Sequence, residues 1–200
     1  MSPGRTTQLA YHLLKEQIVS GEWQPGVRLD PAQIARKLGM SATPVRDALH
    51  QMLGERLIEA WPREGFKIPI PSEGALRELY GLNGDIAATV LRNLRPMPQT
   101  RPPPTDLGPQ PRALFDEIAA AANAEYRALL HQTSDRLHRA RLVERYLFAD
   151  HDEEHAALVA AWSNGTMADL SKLMARYHRR RQHDVAGIVA ALLKPGTPAR

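Results

Sequence analysis

Asp30-Pro-Ala-Gln-Ile-Ala-Arg-Lys-Leu-Gly-Met-Ser-Ala-Thr-Pro-Val-Arg-Asp-Ala-Leu49 is the stretch from which the fold is read. Ile34, Ala35 and Leu38 are spaced to give one apolar face to a short helix. Gly39 ends it, since a helix C-terminus commonly needs a residue in the left-handed region. Met40 fills the corner, and Ser41 offers an N-cap hydroxyl to a second helix. Pro44 sits in the first turn of that helix, where a missing N–H is no loss. Val45, Ala48, Leu49 and Met52 make its inward face. Two helices joined by a short Gly-containing turn form a helix-turn-helix, whose second helix enters the major groove of DNA.

The flanks agree with this reading. Leu57 and Ile58 begin a strand after the second helix, Pro62-Arg-Glu-Gly is a turn, and Phe66-Lys-Ile-Pro-Ile alternates like a returning strand. A hairpin placed there is a wing. Upstream, Leu9, Leu13, Leu14 and Ile18 are spaced for a helix packing behind the pair. A Pro-Gly turn at 25–26 then leads into the helix-turn-helix. Residues 1–7 read as a disordered leader.

The run "IVSGEWQPGVRL…IARKLGMSATPVRDALHQMLGERLIE…REGFKIPI" resembles the winged helix-turn-helix of GntR-family bacterial transcription regulators, over roughly residues 8–70. The resemblance implies that Arg46, near the start of the recognition helix, contacts DNA. A guanidinium there can bond guanine O6 and N7 together. Ser41 and Thr43 suit phosphate contact, aided by the helix N-terminus, and Arg63, Gly65 and Lys67 belong to the wing. Ala42 stands where relatives often carry a second Arg, and Ala32 where some carry another basic residue. The operator is therefore not transferable from relatives. The competing reading makes Ser41 and Thr43 plain caps and pairs Arg46 with Asp47 or Glu55.

Beyond Pro69-Ile-Pro-Ser, a stiff boundary in which Ser72 can cap the next helix, the pattern is helical. Leu76, Leu79, Leu82, Ile86, Val90 and Leu94 mark a helix over 72–94. Arg95 to Pro111 holds seven prolines and reads as an extended loop. Helices are expected at 113–122, 124–147, 152–163 and 167–193, with Asn164-Gly165 as the last turn. The fold class is thus mainly α: a winged helix-turn-helix over 1–70 and an all-helical domain over 72–194 that contains the loop 95–111.

That layout is similar to the FCD, or FadR-like, branch of the GntR family, whose helical half binds a small-molecule effector and forms a homodimer. The similarity rests on "LRELYGLNGDIAATVL", Asn123 and "EEHAALVAAWSNGTMADLSKLMARYH". It implies a divalent metal held by one Asp and three His. His155 and His178 match the last two ligands. The first pair falls on Arg112-Ala-Leu-Phe-Asp116, and no histidine lies between His50 and His131, which leaves Asp116 as the stand-in. The branch's effector-binding Arg corresponds to Asn83, and the Glu after it to Ala87, so a carboxylate ligand would need another cation.

Two further motifs carry weaker signals. His151 and His155 lie four apart, as in the zinc-protease pattern, but Asp152 stands where that pattern needs Glu. A capped acidic first turn accounts for the stretch. Arg179-Arg180-Arg181 point three ways on a helix and read as a solvated face. Trp23, Trp61 and Trp162 read as core or interface residues.

Composition sets the limits. The 200-residue chain has no cysteine, which excludes disulfides and Cys-based sites. No segment approaches a membrane span, and the N-terminus lacks a signal-peptide core, in keeping with a cytoplasmic, non-membrane protein. The net charge is +4. Residues 1–71 hold nine Lys/Arg against seven Asp/Glu, a net of +2, so charge does not single out the first domain. The expected function is a non-enzymatic, DNA-binding repressor that acts as a homodimer on a palindromic operator under effector control. The alternative is a small-molecule- or metal-binding helical dimer with degenerate DNA binding.

Overall fold

The computed structural model describes residues 3–61, 65–94 and 111–194, and the chain divides at Pro71/Ser72 into two compact units. The first unit begins with α1 (Pro3–Ser20). The expected disordered leader is corrected here, because residues 3–7 already belong to this helix. Next come β1 (Arg28–Leu29), α2 (Pro31–Leu38), α3 (Ala42–Gly54), β2 (Glu59–Trp61) and β3 (Gly65–Lys67).

Local chemistry sets each boundary. The Asp30 carboxylate accepts from the backbone N–H groups of Ala32 (2.8 Å) and Gln33 (3.2 Å), an N-cap that satisfies donors the helix itself cannot. Pro31 follows in the first turn of α2. Gly39 closes α2 at φ +63, with the Met40 N–H returning to the Ala35 carbonyl at 2.9 Å. α3 ends with the same device on a less suitable residue. Arg56 adopts φ +58, and the Arg56 and Leu57 N–H groups donate to the Leu53 and Met52 carbonyls.

The sheet order is β1-β3-β2, antiparallel throughout, with Leu29 opposite Phe66 and Phe66 opposite Ala60. Sequence patterning does not reveal β1. It also places the first wing strand two residues early: Leu57 and Ile58 are buried ahead of β2 rather than in it. Leu14, Ile18, Ile34, Val45, Leu49, Met52, Ile58 and Phe66 form one core shared by α1, α2, α3 and the sheet. Trp61 is not a core residue but stands exposed on β2.

The second unit contains α4 (Glu73–Asn93), α5 (Pro111–Ala121), α6 (Ala124–Glu144), α7 (His151–Ser163), α8 (Met167–His183) and α9 (Val185–Leu193). Ser72 caps α4 by accepting from the Ala75 N–H, and Asn123 caps α6 by accepting from the Tyr126 N–H. The proline-rich segment lies outside the described residues except for Pro111, which opens α5. The single helix expected over 167–193 is two, separated at Asp184. On α4, Leu82 faces solvent, while Tyr80, Asn83, Ala87 and Leu91 are buried.

Two apolar clusters hold this unit together. One joins Ile86, Val90, Phe115, Leu130, Trp162 and Tyr177; the other joins Leu76, Tyr80, Leu137, Val143, Phe148 and Ile188. Arg181 corrects the solvated-face reading of the arginine triplet. It is fully buried, and its guanidinium meets Glu144 at 3.0 Å and contacts Glu154. Among the described residues no helix is long and apolar enough to cross a membrane.

Candidate nucleic-acid interface

The inward residues of α3, Val45, Ala48, Leu49 and Met52, are all completely buried. Burial of that face fixes the rotation of the helix, so Thr43, Arg46, Asp47 and His50 are turned to solvent. Arg46 makes no hydrogen bond or ion pair with any described residue. The competing partner Glu55 is taken: its carboxylate accepts from the Tyr11 hydroxyl (2.7 and 2.8 Å) and from Lys15 Nζ (3.1 Å). A fixed positive charge therefore stands uncommitted near the start of α3.

Ser41 occupies the N-cap position with extended backbone, yet its side chain makes no capping bond. Its hydroxyl and that of Thr43 are exposed and unengaged, beside the unsatisfied N–H groups of the first turn. This arrangement suits an anionic oxygen.

The wing is more committed. Gly65 has φ +102, a conformation side-chain-bearing residues rarely adopt, and pairs with Trp61. Lys67 is half-buried; its Nζ lies 3.2 Å from the Glu59 carboxylate and 5.3 Å from the centre of the Trp61 ring. Arg63 lies outside the described residues. Sequence reasoning passed over His50, which projects from the outer side of α3 and packs edge-on against Phe66 of β3 at 5.0 Å. Only the sheet register brings those two together.

In the helical unit the residues expected to hold a metal do not gather. The His178 Nδ1–H donates to the Met174 carbonyl (2.8 Å), and Nε2 lies 3.0 Å from Asn83 Oδ1, so both ring nitrogens face protein atoms. Burial pushes the His178 imidazole down to about 3. His155 is buried with Nε2 unpartnered; its pKa is lowered by burial and then by His151. Asp116 sits 3.2 Å from His131 and 3.7 Å from Arg112. Among the described residues no three His, Asp or Glu side chains form a metal-binding group.

What occupies the centre instead is Asn83, fully buried on α4. Its Nδ2 donates to Thr133 Oγ1 (2.8 Å), and its Oδ1 accepts from Arg141 Nη2 (2.9 Å). Arg141, which sequence reasoning did not single out, lies with its guanidinium 3.8 Å from the centre of the Phe115 ring.

A helix pair whose apolar side is buried, whose second helix presents uncommitted polar groups, and which is closed by a small antiparallel sheet is a winged helix-turn-helix domain. Residues 6–68 match the model of the bacterial regulatory proteins, gntR family. The N-terminal unit is a GntR-family helix-turn-helix domain.

Relatives of this chain include the HTH-type transcriptional regulator McbR of Escherichia coli, 34% identical over 87 residues, which are 42% of this chain and 39% of McbR. The HTH-type transcriptional repressor GlaR of the same organism is 26% identical over 81 residues, 40% of this chain and 37% of GlaR. The chain spans less than half the length of the curated relatives it matches. Solved structures extend the likeness of fold across both units. A putative GntR transcriptional regulator from Rhodococcus aligns with TM-score 0.61 at 20% identity, over 92% of this chain and 98% of that one. McbR aligns with TM-score 0.55 at 22% identity, over 92% and 97%.

Proposed function

We propose that the chain is a cytoplasmic transcription repressor of the FCD-like branch that binds a palindromic operator as a homodimer. A small molecule in the helical unit would alter its DNA affinity by favouring one arrangement of the paired winged domains. The observation that carries the reading is Arg46, exposed and unpaired on the outer side of α3 while Glu55 is held by Tyr11 and Lys15. A charge left free at that place has its natural partner outside the chain.

Fluorescence anisotropy with the duplex upstream of the protein's own coding sequence tests this. Specific binding should exceed that to a scrambled duplex by a factor of about 1,000 or more. Equal, strongly salt-dependent binding to both duplexes would reject it. Ala42, where relatives often carry a second Arg, is half-buried, and Ala32, near which some carry another basic residue, is exposed. This favours a sequence preference unlike that of the relatives.

A further inference from the structure

Trp61 is 37% exposed on β2, a large share for one of the side chains with most apolar area to hide. The sheet register keeps it from turning inward. Phe66 points into the core, and successive residues of a strand alternate between faces, so Gly65 and Lys67 point the other way. Trp61 stands opposite Gly65, and Glu59 opposite Lys67. Residues directly opposite share a face, which gathers Glu59, Trp61 and Lys67 on the outer side of the hairpin.

Gly65 has no side chain with which to cover the indole. Lys67 Nζ lies 5.3 Å from the ring centre and 3.2 Å from the Glu59 carboxylate. That ion pair is partly exposed and so weakly held, and a phosphate can draw the ammonium away from it. The hairpin also adjoins the recognition helix, because His50 of α3 meets Phe66 at 5.0 Å. An aromatic plane with a cation beside it therefore flanks the helix that carries Arg46.

A DNA strand repeats an apolar sugar face and an anionic phosphate. The ring matches the first and the ammonium the second, and contacts to either carry no sequence information. We propose that Trp61 is a DNA-contact residue whose indole lies on a deoxyribose bordering the groove that α3 enters, while Lys67 meets the adjoining phosphate. The inference rests on the DNA-binding reading above and adds to it a contact that strengthens binding without reading bases.

The test uses the full chain, the duplex upstream of its own coding sequence and a scrambled duplex. Trp61→Thr, which keeps a strand-forming residue, should weaken binding to both duplexes by the same factor, about fivefold or more. The salt dependence should not change, since no charge is removed. The melting temperature should stay within about 2 °C of native. Trp61→Phe keeps an aromatic face and should recover most of the loss. Duplex should also shield the native chain's emission from acrylamide, and this shielding should vanish in Trp61→Phe, where Trp23 and Trp162 remain.

Undiminished binding by Trp61→Thr, with the native chain binding its duplex, overturns the contact and leaves the DNA-binding reading standing. No binding by the native chain to either duplex overturns both. A loss confined to the specific duplex, or one that comes with a lowered melting temperature and no rescue by Phe, also overturns the contact. So does a change in the chain's solution molar mass without a change in DNA affinity, which would assign the ring to a protein partner. If Trp61→Thr does not fold, the acrylamide comparison between native chain and Trp61→Phe decides.

Discussion

The Tyr11 hydroxyl donates to the Glu55 carboxylate at 2.7 Å, tying the middle of α1 to the residue that caps the end of α3. Lys15 completes the contact at 3.1 Å. The bond joins positions 44 apart in a half-buried setting. Removing the phenolic oxygen with Tyr11→Phe should destabilise the N-terminal unit by about 1.5–3 kcal/mol, a typical figure for a hydrogen bond to a charged group. Urea unfolding followed by Trp23 fluorescence measures this. An unchanged midpoint would mean the bond contributes nothing.

Arg46→Ala removes an exposed, unpaired side chain, so its melting temperature should stay within about 2 °C of native, as expected of a surface change. Specific DNA affinity should fall by about tenfold or more, the loss of one guanidinium–base contact. Paired thermal melts and anisotropy titrations separate the two effects. A large stability loss would show that Arg46 has an intramolecular role.

Asp30 and Ser41 both hold N-cap positions, but only Asp30 makes the capping bonds. Asp30→Ala should cost about 1 kcal/mol. Ser41→Ala should cost less than about 0.5 kcal/mol, as a surface substitution does, and should still weaken DNA binding. Chemical denaturation of the two variants side by side gives the answer; equal losses would place a cap where none is seen.

In the helical unit, Glu144 is fully buried and accepts from Tyr80, Tyr177 and Arg181. Glu144→Gln leaves the Arg181 charge with Glu154 alone, and a loss of about 3–5 kcal/mol is expected for breaking a buried pair. Arg179→Ala, at an exposed neighbouring position, should be near neutral. Near-equal unfolding midpoints for the two would contradict the network.

The imidazole of His138 is pushed down to about 4, first by burial and then by the positive charges of Arg112 and Arg141. It is neutral in the folded chain while the unfolded chain takes up a proton below about pH 6.5. Stability is therefore full above about 6.5 and falls as pH drops toward 4, by at most about 1.4 kcal/mol per pH unit from this group. Denaturation midpoints at pH 7, 6 and 5, compared between native and His138→Gln, should show a shallower decline in the variant.

The helix-turn-helix was legible because its signals are local: the Asp30-Pro start, the Gly39 stop and the four inward residues of α3 depend on neighbours a few positions away. β1 escaped because two residues cannot display alternation. The break at Asp184 escaped because neither Gly nor Pro stands at residues 182–185 to mark it. Leu82 fitted the helical spacing yet faces solvent, since the buried face of α4 is centred on Tyr80, Asn83 and Ala87. The buried arginines were unreadable for a deeper reason. Whether a charged side chain is paired depends on partners 27 to 105 positions away, as Arg181 with Glu154 and Arg77 with the Gln182 carbonyl show. Spacing along one helix carries no information about them.

The pairing of β1 with β3 encloses α2 and α3 between hydrogen-bonded ends, one strand before them and one after. The two helices thus behave as a cassette whose clasp belongs to the surrounding scaffold. Residues 30–54 of a relative with a known operator should be graftable between those strands, and the chimaera should read the donor's DNA while keeping the recipient's helical unit.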